Sequence, residues 1–113
     1  NTMGCTNDRG RMHNLGLSRT IAELNAKLKP DLTVLDAIRI LVRNGPTGGS
    51  LSDVEERHML LASADPVAVD GWAAQTLFRI DPRRLPYLRL AEARGLGVPV
   101  AGAERVKSLD LGA

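Results

Sequence analysis

The dipeptide Asp-Pro occurs at residues 65–66 and 81–82, and Pro30 directly follows "LSRTIAELNAKLK". Proline has no N–H and a fixed φ, so it is excluded from a helix interior and welcome at the first helical position. An aspartate just before it can accept the free N–H groups of the first turn. The two Asp-Pro pairs therefore predict helix starts, and Pro30 predicts a helix end. Upstream of Pro30, Leu17, Ile21, Leu24 and Leu28 recur at spacings of four, three and four, the signature of one apolar helix face. Ser18 is placed to cap that helix, and Lys27 and Lys29 lie near its negative end. Helices are expected over 17–28, 66–79 and 83–94, the last closed by Gly95. Gly71 sits inside the second helix, where glycine costs about 1 kcal/mol against alanine, and so predicts close packing.

Between these helices lie short apolar runs. "LTVLDAI" and "RHMLLAS" read as strands buried on both faces, near 32–37 and 57–63. "ERVKSLD" alternates weakly and is expected as an edge strand near 104–109. Residues 1–16 carry no apolar period and are expected to be irregular. The order of elements predicts an α/β fold: a small layered sheet of about three strands and three helices, with one right-handed crossover. The 113 residues suit one domain. The start at Asn1 rather than methionine suggests a piece of a longer chain.

Composition narrows the function classes. The chain is 43% hydrophobic and 25% charged, and no apolar run approaches the ~20 residues that cross a bilayer. A soluble protein without membrane contact is expected, cytoplasmic by default, although an export signal on a preceding segment is compatible with it. Fifteen basic residues, twelve of them arginine, are scattered rather than clustered, and there are three aromatic residues. Nucleic-acid binding is therefore not expected. Cys5 is the only cysteine, so no internal disulfide, CxxC knuckle or iron-sulfur ligand set can form within this chain.

The loop "NGPTGGS" at 44–50 follows the first apolar run. Its glycines permit positive φ and close backbone approach, so consecutive amides there could cradle an anionic oxygen. It lacks the ending of a Walker loop and the spacing of a dinucleotide fingerprint. Asp36 is the charged residue within an apolar strand run, and a carboxylate there must sit at a strand end or be paired. It suits a metal ligand, a general base, or a partner for Arg39 or Arg43. Asp65 is explained by helix capping alone, whereas Asp70 interrupts the apolar "VAV" face without that reason. His13 has Arg9 and Arg11 close by, which favours the neutral imidazole as base or ligand. His58, at the start of a strand beside charged residues, reads as ordinary surface.

The ordered motifs "NTMG", "RMHNLGLSRTIAELNAKLKPDLTVLDAI", "NGPTGG" and "ASADPVAVD" resemble the C-terminal half of the domain of unknown function 362 family, over Asn1 to about Val100. The resemblance points to His13, Asp36, Gly45, Pro46, Gly48, Asp65 and Asp70 as site positions. It also implies longer relatives, some with an N-terminal portion carrying lysine and asparagine motifs, ferredoxin-like modules or twin-arginine signals. No reaction is agreed for the family.

The expected function is an enzyme domain binding a small carboxylate or phosphate ligand at the strand ends and glycine loop. Asn44, Gly45, Gly48, Gly49 and Arg11 would hold the anion, while Asp36, His13 and Asp70 would act as catalytic groups. Asp36, Asp65 and Asp70 are the candidate ligands of a divalent cation such as Mg²⁺, because carboxylates without cysteine pairs suit a hard ion. The alternatives are an accessory domain that binds the rest of the family protein or an iron-sulfur partner, and a chain that forms a homodimer.

Overall fold

A computed structural model describes residues 2–99 and 105–112. The elements run α1 (Arg9–Asn14), α2 (Leu17–Leu28), β1 (Thr33–Leu41), β2 (Val54–Ser63), α3 (Pro66–Leu77) and α4 (Pro86–Ala93), with short 3-10 turns at Thr2–Cys5, Leu51–Asp53 and Pro82–Arg84. The fold is mixed α/β, as the sequence predicts, but among the described residues its sheet has two strands, β1 and β2, paired antiparallel. The edge strand expected near 104–109 is absent from 105–109, and residue 104 lies outside the described residues. Among the described residues, therefore, the expected crossover does not form.

Each helix boundary has a local cause. The N-terminal stretch is more ordered than expected, because Asp8 accepts from the Arg11 N–H at 3.1 Å and opens α1, which buries Met12. Gly16, at φ 91°, turns the chain into α2, so Ser18 lies inside the helix rather than capping it. Lys29 ends α2 in a left-handed conformation just before Pro30, and a residue preceding proline is disfavoured in the helical region. Asp65 and Pro66 open α3 as predicted. Asp81 and Pro82 instead open a single 3-10 turn, and α4 starts four residues later at Pro86. Leu85 precedes that second proline and is biased out of the helical region, which splits the expected 83–94 helix. Gly95, at φ 70°, closes α4.

α3 is the central layer. Val67, Val69, Gly71, Ala73, Ala74 and Leu77 are all buried along it, so it is apolar on most sides, as a helix enclosed by neighbours must be. At its start, Val67 packs with Ala22 of α2 and Leu88 and Ala91 of α4. Further along, Ala73 and Leu77 pack with Ala37 and Ile40 of β1. A Cβ on Gly71 would lie 1.6 Å from the Pro99 carbonyl oxygen, so glycine admits the returning chain where any other residue would collide. This is the close packing that the sequence predicts.

The strands are longer than their apolar cores and are covered on one face only. Leu35, Ala37 and Ile40 face α3, with Met59 and Leu61 opposite. On the other face Val34 and Leu60 are 61% and 66% exposed, and Leu32 and Ile38 are also exposed. The reading of strands buried on both faces is therefore corrected. An antiparallel pair needs only one covered face, and this also lets the strands continue through Arg39 and Glu55.

Candidate functional site

The antiparallel hairpin sets which candidate residues can meet. β1 and β2 pair from Thr33↔Ser63 at one end to Leu41↔Val54 at the other, a separation of roughly 26 Å at ~3.3 Å per residue. The glycine loop joins the strands at the Leu41 end, and Asp65 follows β2 at the Thr33 end. Asp36, paired with Leu60, lies in the Thr33 half. Strand ends that would converge in a parallel sheet lie apart here, so the loop and the carboxylates do not form one shared pocket.

The loop also supplies its own anion. Asp53 is buried, with 6% of its surface exposed. Its carboxylate accepts from Asn44 Nδ2 at 3.0 Å, the Ser50 N–H at 3.0 Å and Arg43 Nε at 3.1 Å. Its backbone takes part too, since the Val42 N–H donates to the Asp53 carbonyl at 2.9 Å. A Cβ on Gly49 would lie 3.1 Å from Asp53 Oδ2, and Asn44, Gly48 and Gly49 all have positive φ. The amide of Asn44, then the Ser50 N–H and the Arg43 guanidinium, hold the Asp53 carboxyl below the ordinary aspartate range. Asn44, expected to face a ligand, thus faces Asp53. The sequence carries the signal: Ser50 and Asp53 have the S-x-x-D spacing of a capping box.

The other carboxylates are also engaged locally. Asp65 Oδ1 accepts from the Val67 and Ala68 N–H groups, both at 2.9 Å, and Oδ2 accepts from the Val98 N–H at 3.0 Å. A Cβ on Gly97 would meet Asp65 Oδ1 at 1.8 Å. Asp65 therefore clips the segment around Val98 to the start of α3. Asp36 is exposed, and its Oδ1 accepts from the Ile38 N–H at 2.8 Å, where the β pairing loses register between Ala37 and Arg39. Asp70 is half-buried against Tyr87 of α4. Burial pushes its carboxyl above the ordinary aspartate value, and the Tyr87 hydroxyl partly offsets this. Burial and Asp70 together push the Tyr87 hydroxyl upward. His13 and Arg11 are exposed on α1. Among the described residues, no group of three or more His, Cys, Asp or Glu side chains is placed to hold a metal ion, so Asp36, Asp65 and Asp70 do not form a cation site together.

A cleft of about 760 Å³ opens along β2 instead. Leu60, Leu61, Val69 and Trp72 line it from the hairpin and α3, and residues 105–112 form its outer wall with Arg105, Lys107 and Asp110. His58 also lines it. In β2, Arg57 and His58 together oppose Ile38, because Ala37 pairs with Met59 and Arg39 with Glu56. This is a β-bulge, and His58 occupies it at φ 49°. The left-handed region is unfavourable for a residue with a Cβ. Bulges re-aim side chains and recur beside active sites, and strained residues cluster at functional positions. Sequence reading passed over His58 because histidine, unlike glycine, does not announce a positive φ. None of Asp36, Asp65, Asp70, His13 or Arg11 lines the cleft.

Among the described residues, no helix is long and apolar enough to cross a membrane. In comparison with known proteins, the family model described as Domain of unknown function (DUF362) matches residues 1–75. No curated protein matches, and no solved structure matches.

Proposed function

The chain belongs to the domain of unknown function 362 family, and on that premise we propose that it binds a small anionic molecule with an apolar body, in the cleft beside β2 rather than at the glycine loop. The observation that carries this reading is the strained bulge residue His58 on the same cleft as Arg105 and Lys107. Cationic groups at the wall favour a carboxylate or phosphate, and Leu60, Leu61, Val69 and Trp72 suit an apolar body. The volume falls within the range of roughly 300–1,000 Å³ usual for small-molecule sites. The anion expected from the sequence is kept, and its place moves. The loop is less suited to it, because Asp53 already takes the donors there and would repel a second negative charge. The role proposed is binding, with no acid, base or nucleophile assigned.

Trp72 is the only tryptophan in the chain, so its fluorescence reports directly on the cleft. Titration with phenyl phosphate should give a saturable change, with inorganic phosphate binding at least tenfold more weakly for lack of a ring to bury. Lys107→Ala and Arg105→Ala should each weaken the phenyl phosphate response. No saturable change at millimolar phenyl phosphate, or equal affinity in both alanine variants and the wild type, would end this reading.

A further inference from the structure

The open face of the hairpin adjoins the cleft, with Ile38 and Leu60 at their shared margin, and its residues form a self-complementary pattern. Val34, Ile38 and Leu60 are large apolar side chains exposed there. Asp36 and Arg39 flank Ile38 on β1, and both are exposed. Ala37 and Ile40 both enter the core, so the strand's alternation breaks between them, leaving Ile38 and Arg39 side by side outside. Neither Asp36 nor Arg39 takes part in an ion pair among the described residues. Glu56, which lies opposite Arg39, instead pairs with His58 at 3.2 Å.

We infer that this face binds the same face of a second copy of the chain, forming a two-fold dimer in which the sheets stack. In an isologous contact, residue i meets residue j while j meets i. An axis passing between residues 37 and 38, with the two β1 strands antiparallel, sets Asp36 of each copy opposite Arg39 of the other. One contact thereby satisfies two carboxylates and two guanidinium groups while covering the apolar side chains of both copies. A face with charge of one sign could not pair with itself in this way, and an unrelated partner would have to supply both charges in the reverse order. Stacked sheets lie about 10 Å apart, with inner side chains interdigitating, which places Val34 in a shared core with Ile38 and Leu60 at its cleft-side margin. The hairpin also gains a second layer, and two-stranded sheets need such support for independent stability.

Sedimentation velocity and light scattering of the whole chain, from low to high micromolar, test the inference, with far-ultraviolet circular dichroism confirming the fold of each variant. The wild type should reach dimer mass, and Val34→Glu, which lies outside the cleft lining, should be a monomer. Asp36→Arg and Arg39→Asp should each weaken dimerisation at least tenfold, and the double exchange should restore it. A wild type that stays monomeric, or that forms larger open-ended species, overturns the inference. So does a double exchange no tighter than the single variants. If Val34→Glu does not fold, the two charge exchanges still decide, because they replace exposed side chains.

Discussion

The tip and the flank of the hairpin differ more than their sequences suggest. The tip, with Gly45, Gly48 and Gly49, has the look of a ligand cradle, yet Asp53 accepts from Asn44, Arg43 and Ser50 and closes it from within. The flank, a run of β2 that reads as ordinary strand, holds a strained histidine on an open cleft beside two cations. Glycine richness thus shows that a backbone turns tightly, without showing for what. Polar groups that are already satisfied describe scaffold, and a strained or unmatched group in an open place is the better guide to binding.

The largest effect should come from the tip. Asp53→Ala leaves three donors without their acceptor and should give the greatest fall in melting temperature among these variants, with phenyl phosphate affinity unchanged within twofold. A large loss of affinity instead would erase the distinction between the two regions. At the flank, His58→Gly should weaken phenyl phosphate binding about tenfold, equal to ~1.4 kcal/mol. Its stability should hold or rise by up to about 1 kcal/mol, because glycine relieves the positive φ. Denaturant melts and Trp72 titration on the same samples would show whether function and stability diverge there. Asp65→Asn should lower stability by about 1 kcal/mol, since an amide cannot accept from Val67, Ala68 and Val98 together, and binding should be little affected.

The smallest effects concern protons. The Asp53 carboxyl is lowered in the folded state, so its contribution is present above the ordinary aspartate value and lost as pH falls through the lowered one. Proton-exchange loosening of the tip should therefore appear only below about pH 4. Asp70 has the opposite sign. Its raised folded value means that stability is fully present below the ordinary value and lost as pH rises through the raised one. Asp70→Asn should therefore melt slightly higher than wild type at neutral pH, and the difference should vanish in acid. A melting temperature that falls at neutral pH would assign Asp70 a charged partner.

Much of the scaffold was legible in the sequence. α2 follows from its apolar spacing and Pro30, α3 from Asp65 and Pro66, and the family from motifs that the match over residues 1–75 supports. Gly71 correctly signalled close packing. The start of α4 was obscured because Pro82 and Pro86 both qualify as openings, and only the neighbouring turn selects between them. The open sheet face was hidden because Val34, Ile38 and Leu60 would read the same under a covering layer. The site was least legible. Its convergence depended on strand direction, which the composition of β1 and β2 does not encode, and His58 owes its position to a bulge created by pairing.

The contact between Gly71 and Pro99 has a consequence for how such a binding surface could change. Pro99 is seated by a backbone hydrogen standing where a side chain would collide, and Val98 is held through its amide. The anchorage upstream of the cleft's outer wall thus depends hardly at all on which side chains that wall carries. Residues 105–112 are free to exchange their chemistry while their mooring stays put, so the ligand preference proposed for the cleft could be respecified without renegotiating the fold.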